Sequence, residues 1–192
     1  MPVRHVSWCH SRTPGLTWRH ADQEVTVPDA KDVERTDDGR YVVVDGRRWR
    51  ASDPGIPDAL RQELVDELMA ARRAVRAQED DARDRVQDAK VALGERGPRW
   101  WDEPGDEDVA VRAEATIRAL LRKRDGRTIC PSDAARVVGG DGWRRRMDQV
   151  RGVAADLARR GELVVTQKGV AVDLDAGVKG PVRLARPEDV AG

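Results

Sequence analysis

Histidine and cysteine, the side chains best suited to metal binding and thiol chemistry, are concentrated near the N-terminus. His5, Cys9, His10 and His20 fall within sixteen residues, and all four are zinc-ligand types. Their spacing matches no standard zinc finger, and adjacent side chains such as Cys9 and His10 point inward together only in a tight turn. We therefore expect surface residues here, with no metal and no cofactor.

Cys130 is the second cysteine of the chain. It precedes Pro131 and Asp133 at a predicted helix start, a position at which nucleophilic and redox-active thiols occur. All three histidines lie before residue 21, so the sequence places no general base beside this thiol, and capping or packing is the favoured role. The glycine-rich segment 139–142 lacks the lysine of a phosphate-binding loop. The sequence therefore predicts a protein that is not an enzyme.

Arginine is the residue whose placement points to a partner. The chain carries 35 Lys+Arg and 35 Asp+Glu, so its net charge does not attract a polyanion. Between Arg122 and Arg160, however, eleven basic residues stand against five acidic ones, a net charge of +6. This segment is the candidate for contact with nucleic acid.

The segment lies within a predicted module, residues 108–186, whose elements follow the order of a winged helix-turn-helix. The predicted elements are a helix ending near Lys123, a helix from Pro131 to Gly139-Gly140, a helix capped by Asp141 and ending at Arg160, a hairpin of 163–166 and 170–173, and an extended segment at 180–186 that adds a strand or packs across the wing.

The third of these helices has two different faces. Its apolar residues recur at spacings of four, three, four and three, which predicts one buried stripe: Trp143, Met147, Val150, Ala154 and Leu157. The opposite face presents Arg145, Asp148, Gly152, Ala155 and Arg159, flanked by Arg144 and Arg151.

In a winged helix the third helix enters the major groove, where arginine is the commonest reader of guanine. The predicted nucleic-acid-binding residues are Arg127, Arg144, Arg145, Arg151 and Lys168. Lys168 lies at the wing tip, and Arg127 precedes the second helix. Our hypothesis is a cytoplasmic, non-enzymatic protein that binds double-stranded DNA, for example as a transcriptional regulator.

The N-terminal half predicts a small antiparallel β-unit followed by helix, so the fold class is α+β. Asp45-Gly46 between 40–44 and 47–50 is a strong hairpin signal, with 33–35 as a third strand and 25–27 as a further short strand. Apolar residues then recur at helical spacing over residues 57–94. One long helix or two helices broken at 78–81 both fit, and two are favoured.

Five segments follow from these patterns. They are an N-terminal segment 1–56, a helical segment 57–94, a linker 95–107, the winged-helix-like module 108–186 and a tail 187–192. Trp100-Trp101 in the linker predicts docking onto a neighbouring module, because exposed tryptophan pairs are costly. In the alternative function, the winged helix is a protein-interaction scaffold, and residues 57–101 form a homo-oligomer or partner interface without nucleic acid. No apolar run is long enough for a membrane span, and no signal peptide is recognisable.

The C-terminal module also resembles a known group of proteins. Thr128–Arg136, Asp141–Trp143, Val165–Gly169 and Lys179–Leu184 are similar to motifs of a bacterial domain family of unknown function, whose members are predicted to be small winged-helix-like domains. The middle segment, Val42–Trp101, resembles short stand-alone actinobacterial proteins that are also uncharacterised. The resemblance implies a fold and assigns no activity.

Overall fold

The computed structural model describes residues 34–190. In chain order the elements are β1 (Tyr41–Val44), β2 (Arg47–Arg50), α1 (Asp58–Ala77), α2 (Ala82–Ala92), α3 (Asp106–Lys123), α4 (Pro131–Gly139), a 3₁₀ segment (Gly140–Arg146), α5 (Met147–Arg159), β3 (Val164–Gln167), β4 (Val170–Ala171) and β5 (Arg183–Ala185). The predicted α+β class, with a small N-terminal hairpin and helices, is confirmed.

The N-terminal hairpin forms as the Asp45-Gly46 signal predicts. Both residues have positive φ, 51° and 71°, which is the conformation that a two-residue primed turn requires. Tyr41 pairs with Arg50 at the open end of β1 and β2. The expected third strand is reduced to one isolated bridge between Arg35 and Val42, while Val33 and the strand expected at 25–27 lie outside the described residues.

The helical stretch is two helices, not one. α1 ends at Gln78, whose φ of 62° is left-handed and whose backbone N–H donates to the Ala74 and Val75 carbonyls. Asp81 stands at the N-cap of α2, but its side chain makes no capping hydrogen bond. The break folds the chain back, so that α1 and α2 pack against each other and against α3.

The helix expected over 141–160 is corrected by the structure. Residues Gly140–Arg146 are 3₁₀, and α-helix begins at Met147. Asp141 is therefore not the cap of α5. The physical reason lies in Gly139, Gly140 and Gly142, because glycine lowers α-helix propensity by about 1 kcal/mol per residue relative to alanine, and Gly140 takes a positive φ of 48°.

The C-terminal strands form one antiparallel sheet with β3 at its centre and β4 and β5 on either side. Lys168 and Gly169, with φ of 54° and 83°, make the turn between β3 and β4. The expected extended segment supplies β5, which pairs with β3 and bridges back to the α3–α4 loop through Leu184 and Ile129.

A single hydrophobic core runs from Ile56 to Leu184 and takes in α1, α3, α5 and the sheet. The tryptophan pair of the linker packs beside this core, on the hairpin and the loop that follows it. Trp100 Nε1 donates to the Ala51 carbonyl at 3.0 Å, and Trp101 lies edge-on to Trp100, 5.1 Å between ring centroids. Because α1 and α3 lie in this one core, the helical segment and the C-terminal module share their packing. No helix between residues 34 and 190 has the length and apolarity of a bilayer span.

Candidate nucleic-acid interface

Trp143, in the 3₁₀ segment before α5, is the centre of the candidate interface. The guanidinium carbon of Arg136 lies 4.9 Å from its ring centroid, and that of Arg144 lies 4.7 Å away. Both arginines are exposed, whereas Trp143 is half-buried. The ring therefore holds two cations at the surface by cation–π attraction, next to a cleft of about 670 Å³ that the 54–58 loop also lines.

Arg145 stands beside this pair and folds over Gly142. A Cβ on that glycine would come 2.7 Å from Arg145 Nη2, closer than non-bonded atoms approach, so glycine leaves the space that the guanidinium occupies. Arg145 is exposed.

Other arginines of the same module are neutralised by carboxylates. Arg122 lies 2.6 Å from Asp88, and Arg118 lies 2.6 Å from Glu162. Hydrogen bonding to Glu63 raises the pKa of Arg124, which also contacts Asp133 at 2.7 Å. Within residues 34–190, Arg136, Arg144 and Arg145 take part in no ion pair, so no carboxylate in direct contact compensates their charges at the surface.

Arg151 has a different environment from the one the helical face predicts. Its Nη2 donates to the Val178 carbonyl at 2.8 Å and its Nη1 to the Gly180 carbonyl at 3.4 Å. It is half-buried, because the segment between β4 and β5 returns over α5. Nothing in the spacing of α5 residues reveals this return. Arg151 therefore ties that segment to the helix.

The other two predicted residues lie apart. Lys168 is exposed at the tip of the β3–β4 turn. Arg127 is exposed in the α3–α4 loop and lines a groove of about 330 Å³ with Glu63 and Arg124, whereas Arg144 lines the cleft beside Arg136. The structure thus brings together Arg144 and Arg145 and leaves Arg127 on a separate groove.

Sequence reasoning missed Arg136, and one signal pointed to it. Arg136 is flanked in α4 by buried Ala134, Ala135 and Val137, so it is the charged residue on the exposed face of a short apolar helix.

The prediction for Ala155 was wrong: it is 7% exposed and belongs to the buried side of α5. Exposed Asp141 lines the same cleft as Arg136 and Arg144 and reduces the local positive charge, and Asp148 is exposed on α5.

The chemistry of this surface is charge and hydrogen-bond donation. Guanidinium groups bind phosphates bidentately and donate to the acceptor edge of guanine. Between residues 34 and 190, no group of three or more His, Cys, Asp or Glu side chains is arranged to hold a metal. His5, Cys9, His10 and His20 lie outside the described residues. Cys130 occupies the N-cap of α4, where its thiol accepts a hydrogen bond from Ser132 Oγ at 3.0 Å.

Residues 110–187 match the protein family DUF3253, which is described as a protein of unknown function. The matched range nearly coincides with the module predicted at 108–186 and confirms the resemblance to a domain of unknown function. No curated protein matches the chain.

Proposed function

We propose that residues 108–186 form a winged helix-turn-helix that binds duplex DNA without catalysing a reaction. α3, α4 and α5 are followed by the β3–β4 hairpin and the flanking strand β5, which is the element order of that class. In this assignment α5 and the 3₁₀ turn before it are the recognition element, and the Lys168 turn is the wing tip.

The observation that carries the proposal is the position of the uncompensated arginines. Helix-turn-helix proteins contact base edges with the N-terminal residues of the recognition helix. Arg144 and Arg145 are exposed directly before α5, and Arg136 on α4 lies against the same tryptophan as Arg144. In the proposed complex Arg144 and Arg145 enter the major groove, while Arg136 and Lys168 contact phosphates.

The protein-interaction alternative relied on surfaces that the fold uses internally. Leu60, Leu64 and Leu68 of the α1 stripe are at most 7% exposed. Trp100 and Trp101 pack on Ala51 and Tyr41. The α1 leucines are thus withdrawn into the core and the two tryptophans are half-buried, so we favour nucleic acid as the partner of the arginine surface.

An electrophoretic shift with random-sequence duplex tests the proposal. The test variant is Arg144→Glu with Arg145→Glu. The matched control is Arg48→Glu with Arg73→Glu, which makes the same change of net charge at two exposed arginines of the hairpin and α1. We expect the test variant to lose duplex binding and the control to retain it. Equal affinity of the test variant and the parent protein contradicts the proposal.

A further inference from the structure

The N-terminal half carries a second surface with uncompensated positive charge, although residues 57–104 hold nine basic and twelve acidic residues. Three acidic side chains of α1 pair with basic residues outside that helix. Glu63 pairs with Arg124 at 2.7 Å, Asp66 with Lys123 at 2.9 Å and Glu67 with Arg85 at 3.0 Å. The arginines on the remaining face of α1 are therefore left without their sequence-local counter-charges.

Those arginines border a groove between α1 and α2. Its volume is about 470 Å³, and its lining residues are Arg72, Val75, Arg76, Arg83, Val86 and Arg96. The lining contains four guanidinium groups and no carboxylate. Arg72, Arg76 and Arg83 are exposed, and within residues 34–190 they take part in no ion pair. The two valines give the groove an apolar floor.

A neighbouring cleft of about 520 Å³ continues this groove onto the hairpin, because Arg72 lines both. Arg35, Arg47 and Trp49 lie on the hairpin side of this cleft. Trp49 is 47% exposed, and Arg47 Cζ and Lys90 Nζ each lie 5.7 Å from its ring centroid.

Two carboxylates, Asp45 and Glu95, also line the cleft. Glu95 lies 3.5 Å from Lys90, so Lys90 balances its charge. We call the two clefts together the hairpin groove, whose lining includes Arg35, Arg47, Trp49, Arg72, Arg76 and Arg83.

We propose that the hairpin groove binds single-stranded nucleic acid, with a base stacked on Trp49 and the backbone phosphates on the arginines. Single-strand sites combine a positive groove that follows the backbone with aromatic rings on which bases stack. A paired base in a duplex does not present its face, so an exposed indole beside arginines favours an unpaired strand. Two adjoining clefts suit successive nucleotides, since each has the volume of a small-molecule site.

Fluorescence anisotropy of a labelled oligothymidylate of about 16 nucleotides, the upper end of single-domain site sizes, tests the proposal with the full chain. Trp49→Ala is expected to weaken binding at least about fivefold through loss of one stacking contact. Trp49→Phe is expected to retain binding, because its ring still stacks. Quenching of the protein's own tryptophan fluorescence by oligothymidylate is the second signal, and Trp49→Phe is expected to remove the part of it that comes from Trp49. Arg72→Ala with Arg76→Ala is expected to make the salt dependence shallower by about 1.4 in log–log slope.

The control variant Arg144→Ala with Arg145→Ala separates this site from the duplex interface. Oligothymidylate is expected to quench the fluorescence of Trp49 in this variant as much as in the parent protein, whatever the variant does to duplex binding. Two results overturn the proposal: affinity for oligothymidylate unchanged in Trp49→Ala, or binding of the parent protein to anionic phosphatidylserine vesicles with none to oligothymidylate.

Discussion

The guanidinium of Arg112 in α3 lies 2.7 Å from the carboxylate of Asp53, in the loop that joins the hairpin to α1. Arg112 is 8% exposed, and burial lowers its pKa while Asp53 opposes that shift. Its Nε donates to the Ala92 carbonyl at 3.2 Å. One buried cation thus connects the hairpin loop, the end of α2 and the first helix of the C-terminal module.

Removal of the Asp53 carboxylate is expected to be costly. Asp53→Ala leaves a buried guanidinium without its counter-charge, a change that lowers the free energy of unfolding by about 3–5 kcal/mol. Urea denaturation measures it. The double variant Asp53→Ala with Arg112→Met is expected to be more stable than Asp53→Ala alone, since it removes the stranded charge. If the double variant is less stable than Asp53→Ala, the unpaired charge of Arg112 is not the cause of the stability loss.

Gly94 is predicted to be intolerant of a side chain because of Trp100. Its φ is 77°, and an added Cβ would lie 3.0 Å from Trp100 Cδ1. Gly126, with φ 69° and nothing within 4 Å of such a Cβ, has the same backbone strain without the contact. Thermal unfolding is expected to show Gly94→Ala about 1–3 kcal/mol less stable than Gly126→Ala, the range for overpacking. Equal losses of stability in the two variants would mean that Trp100 moves away from the added Cβ without cost.

Asp88 gives a pH dependence with a definite sign. Burial raises its pKa above the ordinary 3.8, and Arg122 opposes this. A carboxyl whose pKa is higher in the folded state binds a proton more readily when folded, so its contribution to stability falls as pH rises from 3.8 through the folded pKa. The unfolding free energy of the parent minus that of Asp88→Asn should therefore decrease as pH rises. If this difference in unfolding free energy increases with pH instead, the folded state lowers the pKa of Asp88.

Arg151→Ala is expected to act on structure more than on DNA contact. The substitution frees the Val178 and Gly180 carbonyls, so amide hydrogen exchange in the segment between β4 and β5 should quicken. Duplex affinity should fall less than in Arg145→Ala. A larger loss of duplex affinity in Arg151→Ala than in Arg145→Ala, with unchanged amide hydrogen exchange, would mean that Arg151 contacts the DNA.

The local elements follow from sequence because their causes are local. Asp45-Gly46 specifies the hairpin, Pro131 starts α4, and the polar stretch at 78–81 separates two helices. The start of α5 was misplaced because three nearby glycines weaken helix formation before Met147, while half-buried Trp143 still packs against the core from the 3₁₀ segment.

The candidate site was only partly predictable, because its composition depends on long-range pairing. Arg144 and Arg151 both flank the predicted exposed face of the helix, yet only Arg151 meets the returning segment near Val178. Likewise the acidic residues of α1 conceal the hairpin groove in any local charge count, since the partners of Glu63 and Asp66 lie 61 and 57 residues away in the chain.

The salt dependence of duplex affinity tests the central claim most directly. Counterion release gives a log–log slope of about −0.9 per phosphate contact, so binding by the parent protein should weaken steeply between about 50 and 200 mM salt. Arg136→Ala with Lys168→Ala, which removes both proposed phosphate contacts, should make the slope shallower by about 1.8. A parent protein that does not bind duplex at low salt, or a variant whose slope equals the parent's, would contradict the proposed DNA interface.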